Sequence, residues 1–221
     1  MQGLWDTPSV EGLMRMAMRN PQHLGNYDKA NRLNKAKFKV FDNLLRANSR
    51  RGARKNIRAH YDVGNEFYAL WLDEGMTYSS GLFSDESDDL FRAQTNKNAR
   101  VLSRLNSGER TLEIGCGWGG LALTLARDYG VSVLGITLSE EQLALARQRA
   151  EAAGVADKVK FELVDYRDLA ASGATFDRIV SVGMFEHVGV PQFETFFRAC
   201  ANLLAQDGCM LMHTIGRMGP P

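Results

Sequence analysis

The chain has 221 residues, 44% of them apolar and 24% charged, which suits one soluble core or slightly more and excludes collagen-like, low-complexity and wholly disordered classes. Twenty-seven Lys and Arg against 26 Asp and Glu leave a formal charge of +1, so no global field recruits a polyanion. The charge is unevenly spread: eleven basic residues and one acid, Asp42, lie between Lys29 and Arg58, so a segment of about +10 is attached to a body of about −9.

The three cysteines, Cys116, Cys200 and Cys209, form no CxxC pair and no cluster with zinc spacing. Neither a disulfide framework nor a metal site is expected, and a reducing cytoplasm fits. No apolar run reaches the roughly 18 to 20 residues of a membrane span, and Asp6, Glu11, Arg15 and Arg19 interrupt the first twenty residues, so neither a signal peptide nor a spanning helix is expected.

In chain order, Met1 to about Asn26 predicts a short amphipathic helix carrying Leu13, Met14, Met16, Ala17 and Met18, ahead of the turn-prone Asn20-Pro21. The basic segment from Tyr27 to Arg58 follows, with Phe38, Val40, Phe41, Leu44 and Leu45 at helical spacing. Together these make a helical, basic N-terminal region, residues 1–58, before a main domain, residues 59–221. There, continuous apolar runs at Thr111 to Ile114, Val131 to Ile136, Val159 to Val164, Arg178 to Val182 and Cys209 to Thr214 read as strands buried on both faces. Helices are expected near Leu121 to Tyr129, Glu140 to Ala153 and Gln192 to Leu204. Strands alternating with helices predict right-handed βαβ units in an α/β fold, a doubly wound, mostly parallel sheet. Ser139 is expected to cap the second of these helices, Gln142 to complete a capping box and Gly154 to end it.

The densest local signal is Leu112-Glu113-Ile114-Gly115-Cys116-Gly117-Trp118-Gly119-Gly120, a strand entering a glycine bend that opens a helix. Glycines at the carboxyl end of a first strand let the backbone approach a nucleotide-type ligand, although a merely tight turn has the same composition. A dinucleotide site would seat pyrophosphate on the helix N-terminus and place an acid at the end of the second strand. Here Trp118 crowds that terminus, and the second strand ends Gly135-Ile136-Thr137-Leu138-Ser139 with no acid before Glu140. The acid is Glu113, ahead of the glycines, which suits S-adenosylmethionine, a ligand with an ammonium and a sulfonium and no phosphate. Asp165 is placed to accept from an adenine amino group, with Tyr166 as ring neighbour; a helix cap or turn is the alternative for Asp165.

Six blocks occur in order: His60 to Tyr68, Met76 to Ser80, Glu113 to Gly120, Gly135 to Ser139 with Gln142, Phe185 to Gly189, and His213 to Gly216. As a set they resemble the cyclopropane-fatty-acyl-phospholipid synthase family, which includes the mycolic acid cyclopropane synthases. The resemblance implies a Rossmann-like class I methyltransferase fold. It implies transfer from S-adenosylmethionine to the cis double bond of an unsaturated phospholipid acyl chain, at a bilayer surface, by a cytoplasmic enzyme peripherally associated with the inner membrane. By position it implies that Tyr78, Ser79, Gly115, Gly117, Thr137, Leu138, Gln142, Asp165, Tyr166 and Arg167 line the cofactor site. It further implies that Glu186 and His213, with backbone from Ser80, Gly183 and Ile215, surround bicarbonate beside the transferred methyl.

Such a site makes physical sense. An alkene is a weak nucleophile that must be held in line with the methyl in a dry pocket, and a nearby anion both stabilises a cationic carbon and takes the proton whose loss closes the ring. Without the resemblance, the alternative for His213 is a satisfied core histidine at a strand end and for Glu186 an ordinary helix-start acid; His187 is unassigned.

Two departures qualify these expectations. Ser80 stands where many members carry Cys, which makes fatty-acyl C-methylation without ring closure, or small-molecule N-methylation, more plausible alternatives. The sequence also stops at Pro221, where the family continues through two further strands and supplies a Tyr hydroxyl to the anion site, and an upstream domain is absent. The resemblance therefore implies an internal fragment of a longer enzyme, of which a catalytically impaired cofactor-binding remnant is one form. A sheet ending on Cys209 to Thr214 leaves an apolar edge, so marginal stability in isolation is expected. The basic segment beside Phe38 and Phe41 suits anionic lipid, at about 1 kcal/mol for each nearby Lys or Arg, or else a solvated helix face. A nucleic-acid partner is not expected: Ser181-Val182-Gly183-Met184-Phe185-Glu186 lacks the Pro-Pro-aromatic turn common in base-amino methyltransferases. Homo-oligomerisation is left open.

Overall fold

The structure is a computed structural model and describes residues 6–20, 48–61, 64–103 and 109–216. Phe38, Val40, Phe41, Leu44 and Leu45 of the basic segment lie outside the described residues. Two compact units divide the chain, residues 1–46 and 47–221.

In the first unit, helix α1 spans Val10–Arg19, where the expected amphipathic helix falls. Ser9 caps it by accepting from the Gly12 N–H at 2.9 Å, Glu11 and Arg15 pair one turn apart, and none of its residues is buried.

The second unit opens with α2 (Arg50–Tyr61), α3 (Asn65–Ala69) and α4 (Leu90–Leu102). The expected boundary between residues 58 and 59 falls inside α2. The rest alternates: β1 (Arg110–Ile114), α5 (Gly120–Tyr129), β2 (Ser132–Thr137), α6 (Glu140–Ala152), β3 (Val159–Leu163), the short α7 (Tyr166–Ala170), β4 (Phe176–Val182), two 3₁₀ turns, α8 (Phe193–Leu203) and β5 (Leu204–His213). The sheet is parallel throughout, in the order β3-β2-β1-β4-β5. From β1 the chain winds outward to β3 and then returns to β4, so the topological switch lies between β1 and β4, and the crevice outside their carboxyl ends is where such sheets take ligands.

Both faces of the sheet are covered, as continuous apolar strands require. Leu112 and Ile114 pack with Ile136, Ile179 and the α8 residues Phe196, Cys200 and Leu203. Val133, Val159, Phe161 and Val180 pack with Leu121 and Leu125 of α5 and Ala146 of α6. The two-residue period of β1 then directs Thr111 and Glu113 away from the α8 face.

Two local expectations are corrected. Ser139 caps α6 by accepting from Gln142 N, and Gly154 follows with φ +66, but Gln142 does not close a capping box. Its Oε1 accepts from Thr137 Oγ1 at 2.8 Å, and Thr137 Oγ1 in turn accepts the Ser139 N–H, so the side chain turns toward the strand ends. Strand β5 begins at Leu204, not Cys209. Residues 205–208 are carried as a register irregularity between the Phe176–Leu204 and Arg178–Cys209 pairs.

Candidate cofactor and active site

At the carboxyl ends of the strands lies a cavity partly open to solvent, where open parallel sheets take ligands. All eleven residues expected to touch the cofactor line it: Tyr78, Ser79, Glu113, Gly115, Gly117, Thr137, Leu138, Gln142, Asp165, Tyr166 and Arg167. They arrive from the ends of β1, β2 and β3 and from one loop. The glycine bend is built for approach: Gly115 has φ +82, and a Cβ there would sit 2.5 Å from Met184 Cγ. Gly117 has φ +53, and a Cβ there would meet nothing within 4 Å, so its open side is cavity.

Glu113 is 4% exposed, and its Oε2 is buried without a hydrogen-bond partner. Burial pushes its carboxyl up from 4.5 to about 8, opposed by the charge of Lys97 and by the Ala122 N–H. Burial likewise pushes the neighbouring Cys116 thiol up, with the Glu113 charge adding to it.

Asp165 is both a helix cap and a member of an ion pair. Its Oδ1 accepts from Arg167 N and Nε at 2.9 and 2.8 Å, and its Oδ2 from Arg167 Nη2 at 2.6 Å. A carboxylate has about four acceptor sites, so one on Oδ2 remains. Tyr166 stacks edge-on against Phe196 with centroids 5.2 Å apart.

A wall of rings closes another side. Tyr61, Tyr68 and Trp118 lie with centroids 5.0 to 5.7 Å apart, Tyr78 and Trp71 extend the cluster, and Trp118 Nε1 donates to Asn65 Oδ1 at 2.6 Å. Burial raises the Tyr61 hydroxyl to about 12, opposed by its hydrogen bond with Gln142.

The five expected catalytic residues form a neighbouring cluster, of which only Gly183 also lines the cavity. Ser80 Oγ lies 3.3 Å from His213 Nε2, while His213 Nδ1 is buried without a partner, so His213 is not a satisfied core histidine. Glu186 Oε1 accepts from Ile215 N at 2.6 Å and from Thr214 Oγ1 at 2.9 Å. Partial burial would raise the Glu186 carboxyl, but these donors, with the His187 charge, hold it below the ordinary range. The N–H groups of Gly183 and Ile215 are not free for an anion: the first donates to the His213 carbonyl at 3.0 Å and the second to Glu186.

Sequence reasoning placed neither α2, most of which falls in the expected helical region, nor α4 at the cavity. Asn48 and the α2 residues Ala53, Ile57 and Tyr61 line it, as do Lys97 and Asn98 of α4. The four-residue spacing of Ala53, Ile57 and Tyr61 among basic residues was the legible signal for α2; a buried Lys97 has none. Among the described residues no group of His, Cys, Asp and Glu has metal-binding geometry, and no helix is long and apolar enough to cross a membrane.

Residues 48–220 match the family model described as mycolic acid cyclopropane synthetase. The chain is 45% identical over 172 residues to a probable fatty acid methyltransferase of Pseudomonas putida, covering 77% of this chain and 43% of that protein. It is 45% identical over 161 residues to the cyclopropane-fatty-acyl-phospholipid synthase of Escherichia coli strain K12, covering 72% of this chain and 40% of that one. The chain thus spans about two-fifths of these relatives' length. Among solved structures it resembles mycolic acid cyclopropane synthase CmaA1 complexed with SAH and CTAB, with 34% identity, a TM-score of 0.68, and coverage of 72% of this chain and 55% of that one.

Proposed function

The chain belongs to the mycolic acid cyclopropane synthetase family, and from that premise we propose that it takes part in methyl transfer from S-adenosylmethionine to the cis double bond of an unsaturated phospholipid acyl chain, with closure of a cyclopropane ring. The observation that carries this reading is the convergence, in one cavity, of all eleven expected cofactor residues beside the Ser80–His213–Glu186 cluster. The donor fits the chemistry present: Glu113 Oε2 is a buried acceptor without a partner, suited to an ammonium group, and Asp165 Oδ2 keeps one acceptor site for an adenine amino group.

When bound, S-adenosylmethionine supplies an electrophilic methyl on a positively charged sulfur. The residues of this chain do the rest. Glu113 and the Thr137–Gln142 pair would hold the polar ends, and the Tyr61, Tyr78 and Trp118 rings that line the cavity would lie near the positive charge. Ring closure requires loss of a proton, and the Ser80–His213 pair can hold a base for it. A small anion, bicarbonate by the resemblance, would be held by the Ser80 hydroxyl and His213 Nε2, since the Gly183 and Ile215 amides already have acceptors. Helix α2 carries five Lys and Arg and no acid, which supports a peripheral approach to anionic lipid on the cytoplasmic face.

The likeness to a protein named a fatty acid methyltransferase favours, as second reading, a methyl-branched product. Incubation with methyl-labelled S-adenosylmethionine and unsaturated phospholipid vesicles, followed by mass spectrometry of the acyl chains, tests both. A cyclopropane chain one methylene heavier is expected; a methyl branch transfers the claim to the second reading, and label entering only soluble amines overturns both.

A further inference from the structure

Lys97 is the least expected member of the cavity wall. It sits mid-helix on α4, 5% exposed, in a chain where an isolated lysine on a helix is normally solvated. Its Nζ donates to Ser79 Oγ and to Gln94 Oε1, each at 2.6 Å. Gln94, itself 2% exposed, uses its amide nitrogen to donate to the Ser79 carbonyl at 2.7 Å and the Thr77 carbonyl at 3.3 Å. Lysine and glutamine thus grip the Thr77–Ser79 loop by its backbone and its hydroxyl together.

The direction of the hydrogen bond matters. An ammonium has three hydrogens and no acceptor, so Ser79 Oγ must accept from Lys97 and keep its own hydrogen to donate elsewhere. Among the described residues that hydrogen has no acceptor, and Ser79 lines the cavity. A hydroxyl polarised by an ammonium behind it is a strengthened donor, suited to an anionic acceptor. Glu113 lines the same cavity and presents a buried carboxyl oxygen without a partner. No ion pair joins Lys97 to Glu113 or Asp73 among the described residues, although both acids act on Lys97 through space and oppose the burial that lowers its ammonium to about 8. The cavity therefore offers a hydroxyl donor backed by an ammonium and a buried carboxyl oxygen that gains negative charge when its proton leaves.

We propose that Lys97 is a positioning residue that turns the Ser79 hydroxyl into a carboxylate-binding donor, so that Ser79 with Lys97 behind it and Glu113 together select a zwitterionic α-amino-acid head on the ligand. This rests on the reading of the cavity as an S-adenosylmethionine site, and it adds the residue that decides whether the carboxylate of that ligand is recognised.

The test is calorimetry on the full 221-residue chain with three probes: S-adenosylhomocysteine, its decarboxylated analogue S-adenosyl-3-thiopropylamine, and 5′-methylthioadenosine, which lacks the whole head. Lys97→Met is expected to weaken S-adenosylhomocysteine by on the order of tenfold to a hundredfold, while binding of the decarboxylated amine and of methylthioadenosine changes by less than about threefold. In a Ser79→Ala background the penalty of Lys97→Met should largely vanish, because the two act through one hydroxyl. Equal losses for all three probes mean a merely structural lysine and overturn the proposal, as does an unchanged affinity for S-adenosylhomocysteine. Should Lys97→Met fail to fold by circular dichroism, Ser79→Ala alone carries the comparison and must discriminate the probes in the same way. Failure of the unsubstituted chain to bind any probe sinks the cofactor reading itself, which is a different outcome from binding without carboxylate discrimination.

Discussion

Arg167 grips Asp165 with both prongs of its guanidinium, Nε to Oδ1 at 2.8 Å and Nη2 to Oδ2 at 2.6 Å, and its remaining Nη1 donates to the Asn48 carbonyl at 3.0 Å. Asn48 in turn donates to the carbonyls of His187 and Val188. One side chain therefore ties the end of β3 to the chain entering α2 and, through it, to the turn after β4. Arg167→Lys keeps the charge but loses the fork. We expect it to cost about 1–2 kcal/mol in urea unfolding and to weaken 5′-methylthioadenosine about tenfold by calorimetry.

Glu113 sets stability against binding. Its folded carboxyl titrates near 8 against an ordinary 4.5, so between those values the folded state holds a proton that the unfolded chain has lost, and stability falls as pH rises through that window. The slope is at most roughly 1.4 kcal/mol per pH unit. Glu113→Gln should flatten it, leaving the variant the more stable of the two at pH 8, and should weaken S-adenosylhomocysteine at the same pH. Thermal unfolding across pH 5 to 8 together with calorimetry checks both signs; a loss of stability at pH 8 contradicts the account.

The glycines of the bend fail for different reasons. A methyl at Gly115 meets Met184 Cβ at 2.8 Å in a backbone with φ +82, so Gly115→Ala is expected to destabilise the fold by about 1–3 kcal/mol. A Cβ at Gly117 meets nothing within 4 Å, so the backbone cost of Gly117→Val is that of φ +53, roughly 1–2 kcal/mol. The substitution fills cavity, and should abolish binding of S-adenosylhomocysteine in a chain that still unfolds cooperatively.

Glu186 and His213 do not line the cofactor cavity, so substitution there separates chemistry from binding. Glu186→Gln and His213→Asn are expected to lower methyl transfer to unsaturated lipid by about a hundredfold or more, with S-adenosylhomocysteine affinity within about threefold. A parallel loss of affinity would show that the two sites are one.

Much of this site was readable before folding. Glu113, Gly115, Gly117, Thr137 and Asp165 each follow or end an apolar strand, and in a parallel sheet every such end emerges on the same edge, so their convergence follows from strand order alone. Other relations were hidden because they depend on rotamers chosen by packing. Gln142 has the spacing of a capping box but turns to Thr137. Asp165 has the look of a cap and is also claimed by Arg167 two residues on.

The amino-acid order by itself determined the winding of the sheet, the glycine bend and its leading acid, since these rest on local period, backbone freedom and short crossovers. Only the tertiary structure decided the charge balance inside the cavity. A lysine on α4 is solvated or buried according to what packs against that face, and it was burial beside Ser79 and Glu113, separated from it in sequence and brought together by the fold, that gave Lys97 its hydrogen bonds and its field.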